Sequence, residues 1–178
     1  MEIIDTPLPG LLVLQAAPFA DLRGGFLKPF SAGAFAAEGL ASGFREFYYS
    51  VNRRHVVRGM HFQTPPAEHV KLVYVSRGRI VDVVVDLRKS SPAYGRYFAT
   101  ELDAASGKYL YIPAGFAHGF CALREGTIVN YAQTSCYDRA HDCGIRYDSF
   151  GFPWPVEAPV VSTRDLAFPQ LKDFNSPF

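Results

Sequence analysis

Apolar and acidic side chains alternate with a period of two along Ile80–Leu87. Asp82 and Asp86 share one face with Val84, and the other face is entirely apolar, formed by Val81, Val83, Val85 and Leu87. Successive side chains of a β-strand point to opposite faces, so this pattern predicts a strand with one firmly buried face. The segment therefore favours a chain built around a sheet.

Strand candidates recur along the chain at roughly 8–12-residue spacing with turns between them, which is typical of antiparallel sandwiches and barrels. Lys71–Val75 precedes the alternating segment across the turn Ser76–Arg79, and this arrangement predicts a β-hairpin. The other candidates are Leu11–Leu14, Phe44–Val51, Tyr97–Leu102, Tyr109–Ile112, Phe116–Leu123 and Ile128–Thr134. We therefore predict an all-β fold.

One short helix is predicted at Ser31–Leu40, with Ser31 as its N-terminal cap and Gly39 near its end. The last forty residues are rich in Pro and Phe and include Trp154, so we expect them to pack over the barrel. No repeat, low-complexity tract or linker interrupts the sequence. We expect residues 1–178 to form a single domain.

Charge and composition exclude several classes of protein. Lys and Arg number 18 and Asp and Glu 17, so the formal net charge is +1, which argues against a nucleic-acid coat or a polybasic membrane binder. The sequence shows neither a signal peptide nor an apolar run near 18 residues. Its three cysteines, an odd number, are expected to be free thiols in a reducing compartment. We expect a cytoplasmic protein that binds neither nucleic acid nor membrane.

The sequence contains no dinucleotide-binding or P-loop glycine motif, no nucleophile elbow and no His-Glu-x-x-His zinc motif. Any chemistry therefore has to come from His, Tyr, Lys and carboxylate side chains inside a β pocket. Two histidines stand in informative contexts, His61 in the β-like stretch Val57–Gln63 and His118 in Ile112–Phe120. For the other three we expect structural, hydrogen-bonded roles: His55, His69 and His141.

The segment Ile112–Phe120 contains Pro-x-Gly-x-x-His, which resembles the second half of the cupin barrel signature. Metal-binding cupins carry His-x-His in the first half, where this chain has His61-Phe62-Gln63. One metal ligand is therefore missing, and we predict that the protein holds no catalytic metal.

Five segments in register together resemble the dTDP-4-dehydrorhamnose 3,5-epimerase family. They are Asp21–Gly25, Val57–Gln63, Val83–Pro92, Ile112–Phe120 and Ser162–Asp165. The resemblance runs over nearly the whole chain. It implies a cupin-type jelly-roll barrel with a few short helices, a homodimer, and a nucleotide-diphospho-4-keto-6-deoxy sugar as substrate.

Epimerisation beside a ketone requires a base, a group that stabilises the enolate oxygen, and an acid on the opposite face. By resemblance, His61 is the base and Asp165 fixes its tautomer. Lys71 lies near the ketone oxygen and Tyr131 donates the returning proton. The reaction needs no cofactor, in agreement with the absent motifs.

The resemblance also implies substrate contacts. Arg23 and Arg58 would surround the diphosphate and sugar, since a planar guanidinium suits phosphate oxygens. Two positions depart from the family pattern: Lys28 stands where an acidic residue is usual, and Glu46–Ser50 replaces Gln-x-Asn-x-Ser. The predicted substrate-binding residues are Arg23, Lys28, Glu46, Tyr48, Arg58, His118 and Arg164.

Several alternatives stay open from the sequence. The nucleotide is dTDP by resemblance, with CDP or GDP possible, and carbon 3, carbon 5 or both could be inverted. A metal-dependent cupin dioxygenase or isomerase and a non-catalytic sugar-nucleotide binder are the competing functions. A 4-keto sugar 3,4-ketoisomerase ranks below the epimerase, because those enzymes lack the Arg-Gly-x-His and Arg-Asp elements present here.

Overall fold

Two antiparallel β-sheets face each other and enclose the apolar interior of the protein. The computed structural model describes residues 1–17 and 19–178. Its strands are β1 (Glu2–Asp5), β2 (Leu12–Gln15), β3 (Phe19–Asp21), β4 (Gly24–Phe26), β5 (Glu46–Asn52), β6 (Val57–Gln63), β7 (Lys71–Arg77), β8 (Arg79–Asp86), β9 (Tyr97–Asp103), β10 (Lys108–Ile112), β11 (Phe116–Ala122), β12 (Thr127–Gln133) and β13 (Asp142–Gly144).

Within the described residues, six strands form one sheet in the order β1-β2-β10-β7-β12-β5, and five form the other in the order β13-β6-β11-β8-β9. Strands β3 and β4 pair only with each other. Neighbouring strands that are far apart in sequence are characteristic of a jelly roll. The all-β, jelly-roll prediction is confirmed.

The strands predicted from the sequence are all present, with ends that differ by one or two residues at most. Four short strands were not predicted, namely β1, β3, β4 and β13. Each spans only three or four residues, too few for a period of two to stand out.

The predicted hairpin between β7 and β8 is wrong, because these strands lie in different sheets. Gly78, which separates them, has φ of +84°, and a Cβ there would lie 3.0 Å from the Cα of Thr127. The turn is therefore a corner that carries the chain from one sheet to the other. A turn signal specifies a change of direction but not whether the two strands remain neighbours.

Strand β8 is buried on both faces, more deeply than the predicted single face. Val84 lies in the core between the sheets, and Asp82 and Asp86 on the same face are fully buried. The opposite face is covered by the C-terminal segment, which confirms the expected packing of the last forty residues over the barrel. The covering side chains are Phe150, Phe152, Trp154, Leu171, Phe174 and Phe178.

The helices are short: α1 (Ala32–Ala37), α2 (Thr163–Leu166) and a 3₁₀ turn at Leu171–Asp173. Helix α1 confirms the predicted helix and its end at Gly39, whose φ is +71°. Ser31 occupies the N-cap position, but its hydroxyl makes no capping hydrogen bond, contrary to prediction. Among the described residues, no helix has the length and apolarity needed to cross a membrane.

Candidate active site

A cavity of about 500 Å³ opens between the two sheets. Its walls come from β5, β7 and β12 on one side and from β6 and β11 on the other, with further residues from the loop after β12, β13 and helix α2. The lining residues are Glu46, Phe47, Tyr48, Ser50, Arg58, His61, Phe62, Gln63, His69, Lys71, His118, Phe120, Tyr131, Gln133, Tyr137, Asp142 and Arg164.

A β-bulge in β6 brings Arg58 and His61 to the same cavity. His61 is opposite His118 on β11, and Arg58 is opposite Phe120, so β6 holds one more residue than its partner. Strict alternation would place residues three apart on opposite faces, and the bulge removes that conflict. Gly59 makes it possible, because a Cβ there would lie 2.6 Å from the Cα of Gly119.

His61 and Asp165 form a hydrogen-bonded pair at the cavity wall. The Nε2 atom of His61 lies 2.9 Å from Oδ1 of Asp165. The other carboxylate oxygen accepts from the Gly59 amide at 3.1 Å, and the Asp165 amide donates to the Ser162 hydroxyl at 3.0 Å. Burial alone would raise the pKa of Asp165, but hydrogen bonding, first of all with His61, outweighs burial and lowers it. Asp165 is therefore an ionised carboxylate at neutral pH.

A second histidine–carboxylate pair lies deeper, between His118 on β11 and Asp82 on β8. Nε2 of His118 is 2.9 Å from Oδ2 of Asp82, and their side chains are 4% and 0% exposed. Burial lowers the pKa of His118 and raises that of Asp82, since each charged form is poorly solvated there. Oδ1 of Asp82 is buried and has no hydrogen-bond partner among the described residues.

Lys71, on the first position of β7, places an ammonium group in the cavity wall with 7% of the residue exposed. Burial lowers its pKa to about 8, while the charges of Asp82 and Asp142 act in the opposite direction. The same environment makes His69 a neutral imidazole, because burial and the Lys71 charge lower its pKa to about 3. Lys71 is therefore a cation in the cavity wall that loses its charge at mildly alkaline pH.

Tyr131, on β12, faces the cavity from the sheet opposite His61. Burial raises the pKa of its phenol, and a hydrogen bond with Ser50 counteracts that increase. The Tyr131 Oη and Ser50 Oγ atoms are 3.4 Å apart. The ring stacks on Tyr48, with centroids 4.7 Å apart and planes 15° from parallel. Tyr131 is thus a neutral phenol held in a fixed orientation.

Glu46 and Tyr48, the two residues of β5 that depart from the family pattern, both line the cavity and are joined through Gln133. The Tyr48 hydroxyl donates to Oε1 of Gln133 at 3.2 Å, and the Gln133 amide donates to Glu46 at 2.7 Å. Glu46 also accepts from the Tyr137 amide at 2.9 Å. This network fixes the side of the cavity wall next to Tyr131.

Arg164 and Asp142 form an ion pair at the rim, with Nη2 of Arg164 2.7 Å from the carboxylate. The guanidinium also lies 5.2 Å above the ring of Phe168, whose edge approaches His61. Half of the Arg164 side chain remains exposed, so its charge faces the cavity entrance.

Two predicted substrate-binding residues lie outside this cavity. Arg23 is in the turn of the β3–β4 hairpin, 86% exposed and paired with Asp21 at 2.6 Å. Lys28 follows the same hairpin and is also exposed. All the other predicted site residues line the cavity except Asp165, which contacts it through His61.

Sequence reasoning did not identify Ser50, Asn52, Asp82, Gln133 or Asp142 as part of the site. The alternation in β8 carried a signal for Asp82, since an acidic residue on a core face needs a partner. His141 is paired with Asp138, as expected of a structural residue. His55 is exposed and its side chain bonds to no described residue, contrary to the expected hydrogen-bonded role. His69 is hydrogen-bonded to Ser135 at 3.2 Å, as expected of a structural residue, yet it also lines the cavity.

Within residues 1–17 and 19–178, no three or more His, Cys, Asp or Glu side chains are grouped so that they could hold a metal ion. Both histidine–carboxylate pairs are held on the side of β6, β11 and β8, whereas Lys71 and Tyr131 lie in the opposite sheet.

Comparison with known proteins gives a consistent result. A family model described as dTDP-4-dehydrorhamnose 3,5-epimerase matches residues 5–173. The enzyme of that name from Methanothermobacter thermautotrophicus is 38% identical over 177 residues, covering 97% of this chain and 95% of the relative. A dTDP-4-dehydrorhamnose 3-epimerase from Streptomyces niveus is 38% identical over 168 residues, covering 93% and 81%.

Among solved structures, the dTDP-6-deoxy-D-glucose-3,5-epimerase of Legionella pneumophila is similar with a TM-score of 0.93. It is 30% identical, the match covers 98% of this chain and 94% of that one, and that structure contains dTDP-4-keto-L-rhamnose. The agreement in sequence and in fold extends over nearly the full length. The chain therefore belongs to the dTDP-4-dehydrorhamnose 3,5-epimerase family, with its cupin-like jelly roll.

Proposed function

We propose that this protein epimerises a dTDP-linked 4-keto-6-deoxy hexose in deoxysugar biosynthesis, by removing and returning a proton beside the ketone. One observation supports this most directly. A histidine–carboxylate pair and a phenol face one cavity from opposite sheets, with an ammonium group beside them. Inversion at carbon needs a base on one face of the sugar and an acid on the other.

His61 acts as the base in this proposal. The ionised Asp165 can only accept hydrogen bonds, so Nε2 of His61 must carry the hydrogen between them. The lone pair is then on Nδ1, which bonds to no described residue and takes the proton from the carbon next to the ketone. As the imidazolium forms, the carboxylate stabilises its charge.

Lys71 stabilises the enolate. When the C–H bond breaks, its electron pair moves toward the ketone oxygen, and negative charge develops there. An ammonium group in a poorly solvated wall interacts with that charge more strongly than water does. Lys71 has no side-chain hydrogen bond to any described residue in the cavity wall, so its donors are available to the substrate oxygen.

Tyr131 returns the proton from the opposite face. Its raised pKa means that the phenol still holds its proton at neutral pH, as an acid must at the start of the step. One base and one acid can serve carbon 3 and carbon 5 in turn, and the relatives include both 3,5- and 3-epimerases. We propose epimerisation at carbon 3, with carbon 5 as the second site.

The substrate's remaining groups would bind around these residues. Arg58 and Arg164 supply guanidinium groups for the diphosphate, and His118 contacts the sugar. Glu46 and Tyr48, the departures from the family pattern, would contact the sugar nucleotide beside Tyr131.

We further propose a cytoplasmic homodimer whose subunit is a single domain spanning residues 1–178. Three free thiols suit a reducing compartment. Edge strand β5 exposes apolar side chains, with Tyr49 67% and Val51 60% exposed, and a second copy would cover them. Arg23 and Lys28 could then reach substrate only in the cavity of the second copy.

The test is proton exchange in D₂O with dTDP-4-keto-6-deoxyglucose, followed at carbons 3 and 5 by NMR. We expect enzyme-dependent deuterium entry and inversion at carbon 3, with the corresponding CDP and GDP sugars reacting more slowly. His61→Asn should abolish both while leaving the melting temperature nearly unchanged. Failure of the wild-type protein to exchange any of the three substrates would exclude the epimerase function for them.

A further inference from the structure

Asn52 is a buried amide that touches none of the cavity space yet bonds to two groups that line it. It is the last residue of β5 and 1% exposed. Its Oδ1 accepts from Nε of Arg58 at 2.7 Å, and its Nδ2 donates to Oγ of Ser50 at 3.0 Å. The same NH₂ group donates to the carbonyl of Thr127 at 3.1 Å, which fixes its position against β12.

These bonds determine the orientation of the amide and, through it, of the Ser50 hydroxyl. A guanidinium can only donate, so the oxygen of Asn52 must face Arg58 and its nitrogen must face Ser50. Ser50 Oγ therefore accepts from Asn52, and its own hydrogen is left for another acceptor. In the described part of the chain, the acceptor within reach is the Tyr131 phenol oxygen, 3.4 Å away.

We propose that Asn52 is a positioning residue: it orients the Ser50 hydroxyl so that Ser50 donates a hydrogen bond to the phenolate formed when Tyr131 gives up its proton. This inference rests on the function proposed above and assigns a role to residues behind the acid.

The chemistry of the second half-reaction explains the need for such a donor. The enolate collapses to the ketone, its electron pair forms the new C–H bond with the Tyr131 proton, and the O–H pair remains on the phenol oxygen. That oxygen is then an anion in a buried wall, where an unpaired charge is costly. A hydroxyl donor to an anionic oxygen forms a short, strong bond of about 2.5–2.7 Å. The present 3.4 Å is long enough to shorten as the charge develops.

The arrangement also links the acid to the proposed anion-binding Arg58. Both depend on one amide, so losing it should affect phosphate binding and proton return together. Removing only the Ser50 hydroxyl should affect proton return alone, because Arg58 keeps its bond to Asn52.

The experiment measures two rates in D₂O with the wild-type protein and with Ser50→Ala: deuterium entry with retained configuration, and inversion. His61 still forms the enolate, so exchange without inversion should continue, while inversion should slow by about tenfold to a hundredfold. The ratio of exchange to inversion therefore rises, and KM stays close to the wild-type value. A residue with only a structural role would lower both rates and leave the ratio unchanged.

Asn52→Asp provides a second variant. The carboxylate still accepts from Arg58, but it cannot donate, so Ser50 turns its hydrogen toward it and away from Tyr131. We expect the same rise in the ratio. Two backbone carbonyls lose their donor in this variant, so its circular dichroism and melting curve are recorded first. Should it fail to fold, Ser50→Ala alone decides the question.

Ser76→Ala is the matched control, because Ser76 accepts from the Asn130 amide at 2.8 Å on the exposed outer side of the same sheet. It should leave the ratio and both rates unchanged. A wild-type ratio in Ser50→Ala overturns the Asn52 proposal while leaving the epimerase intact. No exchange by the wild-type protein overturns both.

Discussion

The two histidine–carboxylate pairs have the same chemistry and a bond of the same length, 2.9 Å, but their surroundings differ. The His61 side chain is 29% exposed to the cavity, and Asp165 behind it accepts two hydrogen bonds. His118 and Asp82 are almost wholly buried, and one oxygen of Asp82 has no partner among the described residues. Hydrogen bonding lowers the pKa of Asp165, whereas burial raises that of Asp82.

The difference shows that a short His–Asp distance is not enough to identify a general base. The carboxylate also has to be kept ionised by donors, and the second ring nitrogen has to face the substrate. Asp165 meets the first condition, and His61 lines the cavity with no described residue bonded to its Nδ1 atom. Burial disfavours the charged form of both partners in the second pair, which makes His118 less suited than His61 to accepting a proton.

The largest expected effect comes from Asp165→Asn. The asparagine oxygen can still accept from the Gly59 amide, so its NH₂ group turns to His61 and imposes the wrong tautomer. We expect kcat to fall by about 10³–10⁴, the size of the loss when an aspartate holding a catalytic histidine is replaced by asparagine. Steady-state kinetics on folded protein measure it, with Ser162→Ala as the control that keeps the carboxylate. A loss below tenfold would mean that the two pairs do not differ in function.

The next effect concerns Lys71, the cation in the sheet opposite the two pairs. The pKa of Lys71 is about 8, so the ammonium is present below that pH and lost above it. We expect kcat/KM to fall as pH rises through about 8, and the fall in kcat to occur at higher pH because the anionic substrate stabilises the ammonium. Lys71→Arg should remove this fall, since a guanidinium stays charged. Lys89→Met, at an exposed lysine bound to Asn175, should leave the profile unchanged.

Asp82→Asn should have a smaller effect. The Asp82 charge supports the Lys71 ammonium, so its removal should lower the pKa of Lys71 further. The alkaline fall in kcat/KM should then move to lower pH, with kcat at its optimum reduced by less than about tenfold, the loss of a supporting rather than a reacting group. An unchanged pH profile would show that Asp82 is already neutral in the folded protein.

The smallest effect is on the free energy of unfolding. Its dependence on pH has opposite directions for Asp165 and Asp82. The folded-state pKa of Asp165 is lowered, so its contribution is present above the unfolded-state value and disappears as pH falls. The pKa of Asp82 is raised, so its contribution is present at low pH and disappears as pH rises. Chemical denaturation of both Asn variants from pH 3 to 8 should therefore give differences of about 1–3 kcal/mol with opposite slopes. Parallel slopes would contradict the contrast between the two carboxylates.

Local pattern was enough to locate most of the strands, because burial of one sheet face imposes a period of two and turn residues mark the strand ends. It could not show that Gly78 turns a corner between sheets, since that depends on where the following strand finds its partner. The pairing of His61 with Asp165 joins residues 104 positions apart, so it was accessible only through the family resemblance.

The bulge at Gly59 illustrates a second limit. Regular alternation would have separated Arg58 from His61, and only the close approach of Gly59 to Gly119 brings both into the cavity. Arg23 lies in a segment that resembles the family and Lys28 departs from the family pattern, yet both lie outside the cavity of their own chain. A motif identifies residue types in order but does not specify the subunit in which they act.

Strand β5 has one hydrogen-bonded neighbour in the described sheet, β12, and this has a dynamic consequence. Its inner face holds the side chains around the proton donor, in a register that places Tyr48 opposite Tyr131. An edge strand is the part of a sheet that opens most readily. We therefore expect β5 amides to exchange with solvent faster than those of β12. Each opening of β5 would also disturb the alignment of Tyr131, the proton donor. In the proposed homodimer, a second copy would cover the outer side of β5 and slow its opening. Because dimer formation depends on protein concentration, proton donation would then depend on it as well.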